Sequence, residues 1–143
     1  MRVALVSCAK SKMEYACKAK EMYSKSALFS KAYGYAIKRY DQVYILSAKY
    51  GLLDPESIIS PYDISLYQFS ENQKKIWASN VFKQIESKRF PKRTRIHFYA
   101  GKQYRGQLEH LLRKKYCVRV PLAGLSIGKQ LAFYKREGEE DCV

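Results

Sequence analysis

The sequence predicts an α/β fold: a mainly parallel, four-stranded sheet with helices on both faces. Short apolar runs of strand length alternate along the chain with longer segments of helical spacing, as in repeated β-α units. The length of 143 residues corresponds to one domain, and a composition of 47% hydrophobic and 28% charged residues is typical of a globular chain. We therefore expect a single domain over residues 1–143 that ends in a short acidic tail at 137–143.

Four segments have the length and composition of β-strands. They are residues 2–7, 42–48, 94–100 and 117–120. The first two (RVALVS and QVYILSA) are continuous apolar runs, which is typical of strands covered on both faces. Residues 49–69 contain one glycine and two prolines without sustained periodicity, so we expect a long loop between the second strand and the next helix.

Helical spacing marks the segments between the strands. Residues 16–40 carry small and aromatic residues on one face, with a break expected at 24–26. Ser70 and Gln73 form the pattern of a capping box at the start of the next helix. The apolar stripe of that helix is Trp77, Val81 and Ile85.

Two further helices are predicted in the C-terminal third. The first is marked by Tyr104, Leu108, Leu111 and Leu112. The second begins at the cap Ser126 and ends at Gly138. Its inward residues are Ile127, Leu131 and Tyr134.

The chain is strongly basic. It has 27 Lys and Arg against 13 Asp and Glu, a net charge of +14. Because four of those acids and none of the basic residues fall in residues 137–143, the remainder carries +18. Such a field favours polyanions, so we expect nucleic acid or a nucleotide as the partner.

Other classes of protein do not match the sequence. The apolar runs are too short to span a membrane, and the first run ends too early for a signal peptide. The four cysteines are scattered without the spacing of a zinc site or a disulfide scaffold. We therefore expect a cytoplasmic protein with no membrane partner, no metal and no cofactor.

Small and basic residues follow the first three predicted strands. The loops read SCAKSK at 7–12, SAKYG at 47–51 and AGKQYR at 100–105. Ligands of open α/β sheets bind at the carboxyl ends of the strands, and helix N-termini there add amide donors for an anion. We therefore predict a phosphate-binding site at this edge. Its ligand-binding residues are Ser7, Lys10, Lys12, Ser47, Tyr50, Gly51, Tyr62, Gly101, Tyr104 and Arg105.

Three residues at this edge are candidates for catalysis. Cys8 follows the first strand, and the charge of Lys10 favours a thiolate; the alternative is a small cysteine needed for packing. Lys49 has the position of a Schiff-base or phosphate-binding lysine, and the phosphate role is favoured. Asp63 is one of few acids nearby and is the best candidate for a general base; the alternative is a residue that caps a turn.

Several motifs resemble those of known families. The segment LSAKYGLLDP at 46–55, followed by PYD at 61–63, resembles the signature of the YaaA peroxide-stress superfamily. A closer resemblance, over nearly the whole chain, is to small bacterial and phage proteins of unassigned function. It rests on SCAK at 7–10, AKEMYSKSALF at 19–29, AGKQYR at 100–105 and PLAGLSIGKQL at 121–131. The SAKYG stretch is also similar to one in archaeal tRNA-guanine-modifying enzymes.

The resemblance implies a connection with nucleic acid. YaaA-like proteins are associated with DNA binding under oxidative stress, and the archaeal relatives act on tRNA. The architecture would then be Rossmann-like or similar to that of uracil-DNA glycosylase. In that setting Tyr50 and Tyr62 would stack on a base, and Arg105 would make a bidentate phosphate contact.

Three functions remain open from the sequence. The leading one is a nucleic-acid-binding protein, DNA favoured, with a pocket for phosphate and base at the strand carboxyl ends. The second is an enzyme that acts on a nucleobase or an N-glycosidic bond, with Asp63 as base and with Lys49 and Arg105 holding phosphate. The third is a sensor or sequestering protein for free nucleotides.

Two other features complete the sequence-based prediction. His97 lies in the middle of a predicted strand and His110 lies off the apolar face of its helix, so no catalytic histidine is expected. A second basic region, residues 72–115, has thirteen Lys and Arg against two acids, and its run KRFPKR at 88–93 precedes the third strand. This run is therefore expected at the opposite, amino-terminal edge of the sheet.

Overall fold

A computed structural model describes residues 1–141 of the chain. The strands are β1 (Arg2–Ser7), β2 (Cys17–Lys18), β3 (Gln42–Ser47), β4 (Gly51–Leu53), β5 (Ile58–Ile59), β6 (Arg95–Tyr99) and β7 (Cys117–Arg119). The helices are α1 (Ala19–Met22), α2 (Ala27–Arg39), α3 (Glu71–Ser87), α4 (Lys102–Leu112) and α5 (Ile127–Asp141), with a turn of 3-10 helix at Leu66–Gln68.

The main sheet has five strands in the order β4-β3-β1-β6-β7. The strands β3, β1, β6 and β7 are parallel, and they coincide with the four predicted strands to within a residue or two at each end. The prediction of an α/β fold with a mainly parallel sheet is confirmed, but the number of strands is wrong. β4 lies in the predicted loop at 49–69 and pairs antiparallel with β3, because Gly51 reverses the chain directly after β3.

Helices cover both faces of the central strands. Alternate residues of β1 face opposite sides: Val3 and Leu5 pack with α3 and α4, whereas Ala4 and Val6 pack with α1 and α2. This alternation explains the continuous apolar run of β1, since both of its faces are buried. The second face also includes Tyr134 of α5.

Serine side chains cap the first turns of α3 and α2. The Oγ of Ser70 accepts from the Gln73 amide at 3.1 Å, and the Gln73 side chain accepts from the Ser70 amide at 2.8 Å, which confirms the capping box. The Oγ of Ser26 accepts from the Phe29 amide at 3.2 Å. The predicted break at 24–26 is therefore confirmed, because Ser26 starts a new helix rather than continuing the first one.

The structure corrects three details of the predicted helices. The segment at 16–40 begins with the short strand β2, which pairs with β5 inside the predicted loop. The last helix does not end at Gly138, since α5 continues to Asp141 and removes most of the predicted acidic tail; residues 142–143 lie outside the described residues. Ile127 does not face the core, because 63% of it is exposed at the first position of α5.

Candidate functional site

The order of the parallel strands reverses between β1 and β6. The chain passes from β1 to β3 on one side and then returns to the other side of β1 to form β6. Helical connections on either side of such a point diverge and leave a crevice at the strand carboxyl ends. Here those ends are Ser7 on β1 and Tyr99 on β6.

A cavity of about 760 Å³ opens at this point, and we call it the switch-point cavity. Its volume lies within the range of roughly 300–1,000 Å³ that is usual for small-molecule sites. Its walls come from the β1 loop, the first turn of α2, the segment at 63–68, the β6 loop and α5. The lining residues are Val6, Ser7, Cys8, Ala9, Lys10, Lys12, Ser26, Leu28, Phe29, Ala32, Asp63, Ile64, Ser65, Tyr67, Gln68, Tyr99, Ala100, Gly101, Tyr104, Ile127, Gln130 and Tyr134.

Positive charge surrounds the cavity on the β1 side. Lys10 is exposed, and the half-buried Lys12 donates from Nζ to the Lys10 carbonyl at 3.1 Å. The Lys12 ammonium also lies 4.6 Å from the ring centroid of Tyr62, a cation-π distance. The Lys12 side chain is thereby held beside the cavity instead of extending into solvent.

The first turns of three helices contribute to the cavity walls. Ser26 begins α2, Gly101 precedes α4, and Ile127 begins α5. No side chain caps the amides of α4, because its N-cap is Gly101. Helix N-termini carry partial positive charge, so these turns add positive potential to the border of the cavity.

Cys8 lies on the cavity wall directly after β1. Its amide donates to the Leu46 carbonyl at 2.9 Å, which extends the pairing of β1 with β3 by one residue. Its Sγ lies 3.3 Å from the Tyr104 hydroxyl at the start of α4. Burial raises the pKa of Tyr104 well above its ordinary value, so this phenol stays protonated at neutral pH. Tyr104 is therefore a hydrogen-bonding group of the site and not a base.

Asp63 brings a single carboxylate to the cavity wall. It is exposed, and no described residue hydrogen-bonds or ion-pairs with its side chain. The alternative role of a turn-capping aspartate therefore finds no support in the structure. The wall also includes five aromatic side chains, those of Phe29, Tyr67, Tyr99, Tyr104 and Tyr134. Cationic, acidic and aromatic groups thus meet in one crevice.

The loop after β3 has a different structure, and we call residues 47–51 the β3 turn. The Ser47 side chain is buried, and its Oγ accepts from the amides of Lys49 at 3.3 Å and Tyr50 at 3.1 Å. The Ser47 Oγ also lies 2.8 Å from the Tyr62 hydroxyl, which in turn lies 2.6 Å from the Tyr23 hydroxyl. Burial raises the pKa of Tyr23 to about 12 and also raises that of Tyr62. These phenols are protonated structural groups.

The β3 turn faces the helix α3 as well. The indole Nε1 of Trp77 donates to the Ser47 carbonyl at 2.9 Å. Gly51 has a φ of +70°, and a Cβ at this position would collide with Oε1 of Gln84. That oxygen accepts from the Leu52 amide at 2.9 Å. The glycine is therefore required for a close approach between the turn and α3, not for an approach by a ligand.

The predicted site residues accordingly fall into two groups. Those on the wall of the switch-point cavity are Ser7, Cys8, Lys10, Lys12, Asp63, Gly101 and Tyr104. Those outside the wall are Ser47, Lys49, Tyr50, Gly51, Tyr62 and Arg105. Tyr62 itself is not part of the wall, but it adjoins two residues that are, Lys12 and Asp63.

Lys49 and Arg105 have other neighbours. The Lys49 side chain is exposed, with its ammonium 5.3 Å from the ring centroid of Tyr50. Arg105 donates from Nε to the Ala100 carbonyl at 3.2 Å and forms an ion pair with Glu109 at 3.3 Å. Its charge is therefore already partnered within α4.

Sequence reasoning did not identify the walls supplied by α2, by residues 64–68 or by α5. Phe29, Gln130 and Tyr134 lie far from any predicted strand end in sequence. One signal was available: helices that follow the strands of a doubly wound sheet begin at the ligand edge, and Ser26 and Ser126 were visible as helix starts.

Both histidines lie away from the switch-point cavity. His97 is half-buried on β6, with Nδ1 2.7 Å from the Tyr40 hydroxyl, and His110 is exposed on α4. Within residues 1–141, no group of three or more His, Cys, Asp or Glu is placed to hold a metal ion. No helix in that same range has the length and apolar character needed to cross a membrane.

Fold and site define an α/β protein with a mostly parallel sheet and a cavity at its switch point. The chain belongs to a family of unknown function, DUF6884, whose model matches residues 3–136. Neither a curated protein nor a solved structure matches the chain. Membership of this family does not imply an activity. The cavity and the charge of the chain are the features that bear on its function.

Proposed function

We propose that this chain is a nucleic-acid-binding protein, with DNA as the favoured partner, and that one nucleotide enters the switch-point cavity. The observation that carries the proposal is the cavity itself, where Lys10, Lys12 and three helix N-termini border an aromatic wall. A nucleotide combines the two matching features, a phosphate and a flat base. The net charge of +14 supports a polyanion as the larger ligand.

The cations and the aromatic groups of the cavity match different parts of a nucleotide. Phosphate oxygens accept hydrogen bonds from ammonium groups, here those of the β1 loop, and from helix amides without a side-chain cap, here those of α4 after the β6 loop. Base rings stack on aromatic side chains, and Tyr67, 74% exposed on the wall, is available for such stacking. The resemblance to YaaA-like proteins and to uracil-DNA glycosylase is consistent with these phosphate and base contacts and remains a prediction.

The proposal is tested by fluorescence anisotropy with labelled single-stranded and duplex 20-mers of DNA and RNA. We expect binding at 50 mM salt that weakens steeply as salt is raised, because phosphate contacts release counterions. A tighter dissociation constant for DNA than for RNA would support the favoured partner. An absence of binding to every oligomer at 50 mM salt would contradict the proposed function.

A matched pair of double variants tests whether the nucleotide contacts the border of the cavity. Lys10→Ala/Lys12→Ala removes two charges from the cavity border, whereas Lys31→Ala/Lys83→Ala removes two exposed charges from α2 and α3. We expect the first variant to weaken binding by about tenfold and to lower the salt slope by up to about two. The control should change affinity by no more than about twofold. Equal losses in the two variants would place the nucleotide elsewhere.

A second candidate function is an enzyme that acts on the bound nucleobase or its N-glycosidic bond. The unpartnered carboxylate of Asp63 on the cavity wall favours it, since a general base needs a free oxygen within reach of its substrate. Asp63→Asn separates the two functions. A binder keeps its affinity in that variant, whereas an enzyme keeps affinity and loses turnover, which mass spectrometry of incubated oligonucleotides would detect.

Free nucleotides are the remaining alternative, because a cavity of this volume also accommodates a single nucleotide. Calorimetry with deoxynucleoside monophosphates against the 20-mers distinguishes the two. Tight binding of the small ligand with no binding of the oligomer would indicate a sensor or a sequestering protein.

A further inference from the structure

One face of the sheet is open at β6 and β7. On β6, Ile96 and Phe98 are buried against α3 and α4, so Arg95 and His97 point to the opposite side. On β7, Val118 is likewise buried, which places Arg119 on that same side. The core on this side takes only Tyr99 from β6 and none of the residues of β7. Parallel sheets are normally covered on both faces, so this exposure is unusual.

Three arginines from three adjacent strands share the open face. Arg2 of β1 is the register partner of Arg95 of β6, and His97 of β6 is the register partner of Arg119 of β7. Neighbouring strands lie about 4.8 Å apart, so these side chains leave the sheet within a small area. We call Arg2, Arg95, Arg119 and His97 the arginine face.

Within the described residues, the arginine side chains of the arginine face have no acidic partner. No ion pair joins its three arginines to a carboxylate in the described part of the chain. The Arg2 guanidinium donates to the Arg39 carbonyl at 2.9 Å and lies 4.6 Å from the Tyr40 ring centroid. The nearest acid in the hydrogen-bond network is Asp41, which accepts from the Arg2 amide at 2.7 Å rather than from a guanidinium.

The charge continues along the amino-terminal edge of the sheet. Lys88, Arg89, Lys92 and Arg93 are all exposed in the segment that leads directly into Arg95. None of these four is ion-paired with an acid among residues 1–141. The segment is held in place by Thr94, whose Oγ1 donates to the Pro91 carbonyl at 2.6 Å. Lys88 lies over the Tyr44 ring on the α3 side of the sheet, so these four cations border the amino-terminal edge and join the arginine face only through Arg95.

From this geometry we infer a second phosphate-binding surface, in which the arginine face and residues 88–93 hold the backbone of a nucleic-acid strand. Charge complementarity selects a polyanion, and the guanidinium fork matches phosphate oxygens in pairs. The three arginines of the arginine face are exposed, so they give a small ligand little enclosure, whereas a polymer can contact several cations at once. The inference rests on the proposed function for the class of ligand, but it uses different residues at the opposite edge of the sheet.

The pKa of His97 provides a probe for phosphate bound at the arginine face. Burial lowers the pKa of His97, and the charges of Arg2, Arg119 and Arg95 lower it further. The hydroxyl of Tyr40 lies 2.7 Å from Nδ1 of His97 and also contacts the hydroxyl of Tyr99. A phosphate bound among the arginines offsets their field and therefore raises the pKa of His97. An oligonucleotide bound only at the cavity leaves it unchanged.

The test uses the 20-mer that binds the wild type most tightly. Arg95→Ala/Arg119→Ala is compared with the control Lys31→Ala/Lys83→Ala, which removes the same charge elsewhere. We expect the arginine variant to weaken oligonucleotide binding by about tenfold and to lower the salt slope by up to about two. Binding of deoxynucleoside monophosphates at the cavity should stay within about twofold. Thermal melting should match the wild type, because both arginines are exposed.

Several outcomes overturn the inference without touching the proposed function. One is an arginine variant that binds the 20-mer as well as the control does, while Lys10→Ala/Lys12→Ala loses affinity. Another is a His97 pKa, measured by NMR titration, that does not rise when the 20-mer is added. A third is loss of binding to phosphatidylserine vesicles or to tripolyphosphate in the arginine variant, with 20-mer binding unchanged. If the wild type binds no oligonucleotide at all, the proposed function fails together with the inference.

Discussion

The loops after β1 and β3 look alike in sequence and differ in structure. Both begin with a serine, a small residue and a lysine within four positions, SCAK at 7–10 and SAK at 47–49. After β1 the backbone stays open and its side chains line the switch-point cavity. After β3 the serine hydroxyl binds the amides of its own turn, and the lysine extends into solvent. A lysine after a strand is therefore not by itself evidence of a ligand site.

The neighbours of each strand explain the difference. β3 pairs with β4 through a tight antiparallel turn, which closes the space beyond its carboxyl end. β1 lies between two parallel partners, and parallel strands require long crossover connections that leave the strand ends uncovered. The comparison predicts that changes in the β3 turn act on stability, whereas changes at the cavity act on binding.

The largest effect is expected from Gly51→Ala in the β3 turn. A residue with a side chain is disfavoured at a φ of +70°, and its Cβ would displace Gln84 from the Leu52 amide. We expect a loss of about 3 kcal/mol of unfolding free energy, measured by urea denaturation. Gly34→Ala is the control: nothing lies within 4 Å of a Cβ there, and in the helix α2 alanine should stabilise by about 0.5–1 kcal/mol. Equal stability of the two variants would contradict the structural role of Gly51.

The phenols behind the β3 turn predict a loss of stability at alkaline pH. Unfolded tyrosine ionises near pH 10, whereas the pKa of Tyr23 in the fold is about 12. The raised pKa of Tyr23 therefore contributes unfolding free energy that is complete below pH 10. This contribution is lost as the pH rises through 12, at up to about 1.4 kcal/mol per pH unit. Urea midpoints between pH 8 and pH 11.5 should fall less steeply in Tyr23→Phe than in the wild type. Parallel slopes would show that Tyr23 titrates normally.

Tyr62→Phe should cost about 1–2 kcal/mol, because it removes the hydroxyl that joins Tyr23 to Ser47 and leaves buried polar atoms with fewer partners. Oligonucleotide affinity should change by no more than about twofold, since Tyr62 does not line the cavity. Tyr67→Ala is the counterpart on the cavity wall. It should weaken binding several-fold and leave the unfolding free energy within about 0.5 kcal/mol, because Tyr67 is exposed. A reversed pattern would assign the base contact to Tyr62, as the sequence predicted.

The smallest effect is expected from Lys49→Ala. Its exposed ammonium contacts only the Tyr50 ring, so the unfolding free energy should change by less than about 0.5 kcal/mol. Anisotropy titrations should give the same dissociation constant as the wild type to within about twofold. A loss of affinity comparable with that of Lys10→Ala/Lys12→Ala would show that Lys49 belongs to the binding site.

The sequence by itself determined the elements that depend on neighbouring residues. Strand-length apolar runs, the capping box at Ser70 and the helix break before Ala27 are local patterns, and each lies where it was predicted. The sequence also determined that the loops after the parallel strands lie at one edge, because parallel strands place all their carboxyl ends on one side. Ser7, Cys8, Lys10 and Gly101, which were predicted from this rule, line the switch-point cavity.

Only the tertiary structure decided which of those loops meet. The order of the strands places β1 beside β6 and seals the end of β3 with β4, and no local pattern encodes which strands become neighbours. The same order brings α5 to the cavity and leaves Arg95 and Arg119 uncovered on the far strands. Pairings between residues distant in sequence are selected by the burial of whole faces, which is a property of the assembled sheet and not of any one segment.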